Sequence, residues 1–83
     1  MYVDIGTDFL VKSSDIIGIF DLDTSTIGQN TKDFLKKAEK SGMSSFIGDG
    51  IPKAFIVMND GMVYITTISA ASLKGRNEKG MAL

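Results

Sequence analysis

Residues Lys53 to Ile68 read KAFIVMNDGMVYITTI and predict a β-hairpin. The first arm, Ala54–Met58, is an unbroken apolar run, and the second, Met62–Ile68, is rich in β-branched and aromatic residues. Asp60-Gly61 suits a two-residue type I′ turn, because both central positions of that turn need a positive φ. A continuously apolar strand needs cover on both faces. We therefore expect the rest of the chain, alone or together with another copy of it, to cover this hairpin.

The composition is that of one small domain. The chain has 83 residues, of which 43% are hydrophobic, and it has no cysteine and no histidine. A chain of this length buries only about two-thirds of its unfolded surface, and neither a disulfide nor an ordinary zinc site can stabilise it. Oligomerisation is the remaining way to cover the apolar surface, so we expect a homo-oligomer. The lack of cysteine fits the cytoplasm, and no export signal or membrane-spanning run is recognisable.

The formal net charge of −1 hides an uneven distribution of charge. Residues 1–30 contain five aspartates against the single Lys12, whereas residues 31–83 contain eight lysine or arginine residues against five acidic ones. The chain as a whole is not a generically basic DNA-binding protein, but the second part has room for a local basic surface.

The residues before the hairpin predict four short strands and a helix. Tyr2–Ile5 and Phe9–Lys12 indicate a second hairpin with a loop of about three residues. Ile16–Leu22 is a strongly apolar strand in which Gly18 indicates a bulge or a close backbone approach. A helix is predicted over Thr31–Ser41, and a weak strand over Met43–Ile47 follows it.

The predicted helix is capped by Asn30 and stops at Gly42, and it buries a narrow stripe of Phe34, Leu35 and Ala38. After the central hairpin, Ser69–Lys74 predicts a single helical turn with Ser69 as its cap. The order β-β-β-α-β-β-β indicates an α+β fold, a mainly antiparallel β-sheet of about six short strands with one α-helix packed on a face. We expect residues 1–76 to form a single domain and residues 77–83 to be a flexible C-terminal tail.

The residue types needed for most catalysis are missing. Without histidine and cysteine, the commonest general base, the strongest neutral-pH nucleophile and most transition-metal ligands are absent. Asp21 and Asp23 lie on the same side of a strand, but such pairs form turns more often than metal sites. Gly48-Asp49-Gly50 lacks the Gly-Lys-Ser/Thr of a phosphate-binding loop. We expect no enzyme, no metal and no cofactor.

The candidate site is a set of basic residues. Lys32, Lys36 and Lys40 recur at every fourth position of the helix, and Lys37 is adjacent. Such a face is often only a solvated surface, but in a ring of identical subunits it repeats and becomes a track for a polyanion. The candidate nucleic-acid-binding residues are Lys32, Lys36, Lys37, Lys40, Lys53, Lys74 and Arg76.

The chain also resembles a known family. Lys53-Ala54 with its apolar strand, the Asn59-Asp60-Gly61 turn and the Ile68-Ser69 exit are similar to the RemA/RemB family of bacterial extracellular-matrix (biofilm) regulators. The opening Tyr2–Gly6, the segment Asp15–Asp21 and the closing Ser69–Lys74 look like the RemB branch. The resemblance covers most of residues 1–76, and its motifs are hydrophobic rather than catalytic.

This resemblance implies a small regulator that assembles into a ring. In the RemA branch the ring binds DNA through a basic surface that includes an arginine cluster in the loop before the central hairpin, whereas here that loop, Gly48–Lys53, has Lys53 as its one basic residue. A lysine cannot replace the bidentate fork of an arginine. We therefore expect a ring-forming transcriptional regulator of matrix genes with weak, phosphate-dominated DNA binding. The alternative is an oligomeric protein-interaction module that modulates another regulator without binding DNA.

Overall fold

The computed structural model describes residues 2–22 and 28–82, and describes side chains as far as Arg76. Asp23, one of the two aspartates considered above, lies outside the described residues. The described strands and helices are, in order, β1 (Tyr2–Asp4), β2 (Leu10–Lys12), a 3₁₀ turn (Ser13–Asp15), β3 (Ile16–Asp21), α1 (Gln29–Lys40), β4 (Ser44–Ile47), β5 (Ala54–Met58), β6 (Val63–Thr66) and α2 (Ala70–Ala82).

The strands form two sheets. β1 and β2 pair antiparallel in a two-stranded sheet, and the other four strands form a sheet in the order β3-β5-β6-β4. β5 is antiparallel to both β3 and β6, and β4 runs parallel to β6. The predicted α+β fold with a mainly antiparallel sheet is confirmed.

The central hairpin is covered on both faces by the chain itself. Phe55 packs with Ala38 of α1 on one face of the four-stranded sheet. The neighbouring residues Ala54 and Ile56 point to the opposite face, where they pack with Leu73 of α2 and with the β1-β2 hairpin. The unbroken apolar run of β5 therefore reflects a strand that lies between two layers.

The turn of this hairpin differs from the prediction. Gly61 has a positive φ of 93°, but Asp60 is not among the described residues with positive φ. The Gly61 N–H donates to the Met58 carbonyl (3.1 Å) and the Met58 N–H donates to the Met62 carbonyl (2.9 Å). These bonds define a three-residue loop, Asn59 to Gly61, with glycine at its last position. The predicted two-residue type I′ turn is therefore wrong.

The N-terminal hairpin has the predicted three-residue loop. The Phe9 N–H donates to the Gly6 carbonyl (2.8 Å), which closes a turn over Thr7 and Asp8. Both of these central residues have a positive φ, 47° and 62°, as a type I′ turn requires. The type I′ turn therefore occurs in the N-terminal hairpin rather than in the central hairpin.

The helices are longer than predicted. α1 begins at Gln29 after Gly28, which caps it without a side-chain hydrogen bond, so Asn30 is inside the helix and is not its cap. Of the predicted stripe, Ala38 is buried and Leu35 half-buried, but Phe34 is 44% exposed.

α2 continues for thirteen residues where a single helical turn was predicted. The predicted cap is correct, because the Ser69 hydroxyl oxygen accepts a hydrogen bond from the Ser72 N–H (3.2 Å). Burial of Ala70 and Leu73 anchors the first turns to the core. The expectation of one packed helix is therefore approximate, because the predicted turn is the start of a second helix and the backbone of residues 77–82 is helical. The independent movement of residues 77–83 stays a prediction.

Gly18 marks the predicted irregularity in β3. The register of β3 against β5 shifts between Ile16 and Gly18, which confirms the bulge. A Cβ atom at Gly18 would lie 2.6 Å from the ring of Phe20, so glycine allows this ring to lie over the strand. The Phe20 ring stacks on Phe55, with centroids 5.1 Å apart. Within the described ranges, neither helix has the length and apolar character needed to cross a membrane.

Candidate nucleic-acid interface

The four lysines of α1 are exposed. With 3.6 residues per turn, Lys32, Lys36 and Lys40 lie on the side of the helix away from the buried Ala38. Successive members of this row are separated by about 6 Å along the helix axis, so the row is about 12 Å long. One DNA strand rises about 3.4 Å per nucleotide, so this length corresponds to three or four phosphates. The helix presents a short basic row that matches the scale of a phosphate backbone.

The same lysines also have a structural role. Lys37 and Lys40 lie in the last turn of α1, where positive charge interacts favourably with the helix dipole. The Ser41 hydroxyl donates to the Lys37 carbonyl (2.9 Å) and helps to end the helix. Asp33 accepts a hydrogen bond from Gln29 Nε2 (3.0 Å) within the first turns. Lys32 and Lys36 lie outside the last turn, so the dipole does not account for them.

The structure does not bring all seven candidate residues onto one surface. Lys74 and Arg76 are on α2, which packs on the opposite face of the four-stranded sheet from α1. The Arg76 Nη1 group donates to the Asp4 carbonyl of β1 (2.9 Å), so this guanidinium holds α2 against the N-terminal hairpin. Lys74 and Arg76 therefore belong to a different surface from the lysines of α1.

Lys53 is the one other candidate on the α1 side. Its backbone lies between two strands, because its N–H donates to the Thr66 carbonyl (2.8 Å) and its carbonyl accepts from the Leu22 N–H (2.9 Å). Strand alternation places its side chain on the same face as Phe55, the face on which α1 packs. The basic surface of one copy thus consists of the α1 row, with Lys53 at the end of the sheet where β5 begins.

The sequence reasoning missed an apolar feature beside α1. α1 leaves part of the sheet uncovered, and two grooves lie along it. One has a volume of about 280 Å³ and lies between Phe34 of α1 and Phe20 of β3. The other, of about 270 Å³, lies between Phe34 and the turn at Gly61. Phe34 lines both grooves. Its position at the margin of the predicted apolar stripe is the feature of the sequence that could have indicated them.

Lys37 is the one charged residue that lines either groove within the described part of the chain. Among the side chains that the structure describes, those of residues 2–22 and 28–76, no group of three acidic side chains is close enough to hold a metal ion. These observations define a small α+β domain whose distinctive surfaces are a basic outer helix and the apolar grooves beside it.

Comparison with a known protein identifies the family, although no family model matches the chain. Over 76 residues the chain is 34% identical to extracellular matrix regulatory protein B of Bacillus subtilis strain 168, and the alignment covers 92% of this chain and 89% of that protein. The chain belongs to the RemA/RemB family of extracellular-matrix regulators, which confirms the resemblance noted in its sequence.

Proposed function

We propose that this protein regulates the transcription of extracellular-matrix genes in the cytoplasm, as a homo-oligomeric ring that makes weak, phosphate-dominated contacts with DNA. The name of the B. subtilis relative supports the role in matrix regulation. The observation that carries the DNA contact is the exposed row of Lys32, Lys36 and Lys40 on α1. The proposal includes no catalytic role.

The weakness of the contact follows from the number and kind of charges. One copy presents a few lysines, and α1 also carries Asp33 and Glu39. Lysine contacts a phosphate as a point charge and lacks the bidentate geometry of arginine. Affinity must then come from repetition, because identical subunits in a ring engage one duplex together and raise the effective concentration of each further contact.

A pair of charge-matched variants tests this proposal. Lys36→Gln/Lys40→Gln removes two charges from the α1 row, and Lys12→Gln/Lys74→Gln removes two exposed charges from other surfaces. Binding of a fluorescent duplex is measured by anisotropy over a series of salt concentrations. The slope of log affinity against log salt should fall by about 0.9 for each phosphate that the first variant no longer neutralises, and it should stay unchanged in the second. Equal slopes for both variants and the wild type would contradict a contact through α1.

The second candidate function is a protein-interaction module that acts on another regulator without touching DNA. It is favoured by the loop before β5, where Lys53 is the one basic residue, and by the sequence pI of about 5.1. This function predicts that the intact oligomer ignores DNA even at low salt, and that a specific protein partner is recovered with it from cells.

A further inference from the structure

The four-stranded sheet has two open edges. β3 lies at one end of the sheet and β4 at the other, and within the described residues neither edge pairs with a further strand. β3 is six residues long and β4 four residues long. Edge strands expose backbone N–H and C=O groups that can pair with another chain, and proteins usually protect them with charges or with prolines. Neither device is present inside β4, which reads Ser-Ser-Phe-Ile.

Both edges present an aromatic side chain on the same face of the sheet. Phe20 of β3 is the register partner of Phe55, and Phe46 of β4 is the register partner of Ile65. Phe55 and Ile65 both pack in the cluster under α1, so Phe20 and Phe46 lie on the α1 face as well. Each of these edge phenylalanines is 46% exposed.

A groove that can accommodate one of these side chains lies beside the β3 edge. The groove of about 280 Å³ between α1 and β3 is walled by Phe20 and Phe34 and floored by Phe55 and Val57. A strand added along β3 would carry its same-face side chains to the mouth of this groove. An aromatic residue is the side chain that this apolar space fits best.

The β3 edge is acidic, whereas β4 itself is uncharged and lies against a basic helix. The 3₁₀ turn and β3 contain Asp15 and Asp21 and no basic residue. α1, which contacts β4 at the other edge, carries four lysines against Asp33 and Glu39. Pairing β3 with β3, or β4 with β4, would bring like charges together, whereas pairing β3 with β4 brings unlike charges together.

We propose that the β3 edge of one copy pairs with the β4 edge of a second copy, and that Phe46 of the second copy enters the groove beside Phe20 of the first. The contact joins two different surfaces, so the first copy keeps its β4 edge free, the second keeps its β3 edge free, and the contact repeats. Head-to-tail interfaces of this type build rings or filaments. This inference rests on the self-assembly part of the proposed function and is independent of DNA binding.

Three single variants test the interface by light scattering on the full chain. Phe46→Asp alters the β4 edge and Phe34→Asp alters the groove, at side chains that are 46% and 44% exposed, and circular dichroism checks the fold of each. Leu10→Asp is the matched control, because Leu10 is 59% exposed on the outer face of the N-terminal hairpin. We expect an oligomeric mass for the wild type and for Leu10→Asp, and a monomeric mass for both phenylalanine variants.

Mixing the two monomeric variants then distinguishes a head-to-tail interface from a symmetric one. Phe34→Asp retains an intact β4 edge and Phe46→Asp retains an intact groove, so the mixture should form a dimer of one copy of each and nothing larger. An oligomeric mass for Phe46→Asp, or loss of assembly in Leu10→Asp, would overturn this interface while leaving self-assembly in place. A monomeric wild type would overturn both.

Discussion

Replacing Thr66 by valine removes one hydroxyl group from a position with no solvent exposure. This hydroxyl donates to the carbonyl of Ile5, another fully buried residue 61 positions earlier in the chain, and its oxygen accepts from the Ile68 N–H (3.3 Å). The bond joins the N-terminal hairpin to the last strand of the four-stranded sheet.

The cost of the substitution follows from this geometry. Valine has nearly the same shape as threonine, so no cavity forms, but the Ile5 carbonyl loses its buried donor. An unsatisfied buried polar group costs about 1–3 kcal/mol. For a domain of this size, each kcal/mol lowers Tm by about 4–8 °C, so we expect a fall in Tm of at least about 4 °C.

Equilibrium unfolding in urea, followed by circular dichroism, measures the difference in free energy. All samples need the same protein concentration, because assembly contributes to apparent stability. Thr67→Val makes the same chemical change at the neighbouring half-buried position and should alter the free energy of unfolding by less than about 0.5 kcal/mol. Equal stability of Thr66→Val and wild type would refute the role of this hydroxyl in joining the two sheets.

Three further predictions concern packing and the site. Leu73→Ala should lower the free energy of unfolding in urea by about 2–5 kcal/mol, because Leu73 is fully buried and anchors α2; a loss below about 1 kcal/mol would contradict that. Gly18→Ala should displace the Phe20 ring and reduce the mass measured by light scattering while circular dichroism stays unchanged. Lys53→Ala should lower the salt slope of DNA binding by about 0.9 for each subunit whose Lys53 contacts a phosphate, with no change in mass, and an unchanged slope would remove Lys53 from the site.

The sequence predicted those parts of the fold in which the local pattern of apolar residues matches their burial in the structure. The apolar run of β5 was correctly interpreted as a strand covered on both faces, because such a run has no other stable position. Gly18 was correctly placed at a bulge. The turn at Asn59 to Gly61 was not resolved, because aspartate followed by glycine fits both a two-residue turn and the last two positions of a three-residue loop.

The second helix was missed for a tertiary reason. Residues 75–83 contain two glycines and several charges, which locally favour a frayed end. α2 is stabilised by tertiary contacts that its local helix propensity does not reflect. Ala70 and Leu73 are buried at its start, and Arg76 donates a hydrogen bond to the Asp4 carbonyl. The same long-range contacts place Arg76 on the far side of the sheet from the α1 lysines, which sequence spacing could not indicate.

The candidate site was predictable only in its helical part. A spacing of four residues fixes Lys32, Lys36 and Lys40 on one side of any helix. The grooves depend on how far α1 extends across the sheet, and that distance is set by packing between residues remote in sequence. Phe34 is adjacent to the half-buried Leu35, yet it is 44% exposed because α1 leaves the β3 side of the sheet open.

The measurement that tests the central claim most directly is the anisotropy of a labelled duplex titrated with the wild-type chain at two salt concentrations, with the mass of the assembly determined on the same sample. We predict an intact oligomer that binds DNA at low salt and loses affinity steeply as salt rises. An intact oligomer that leaves the duplex unbound at low salt would contradict DNA binding and favour the protein-interaction module.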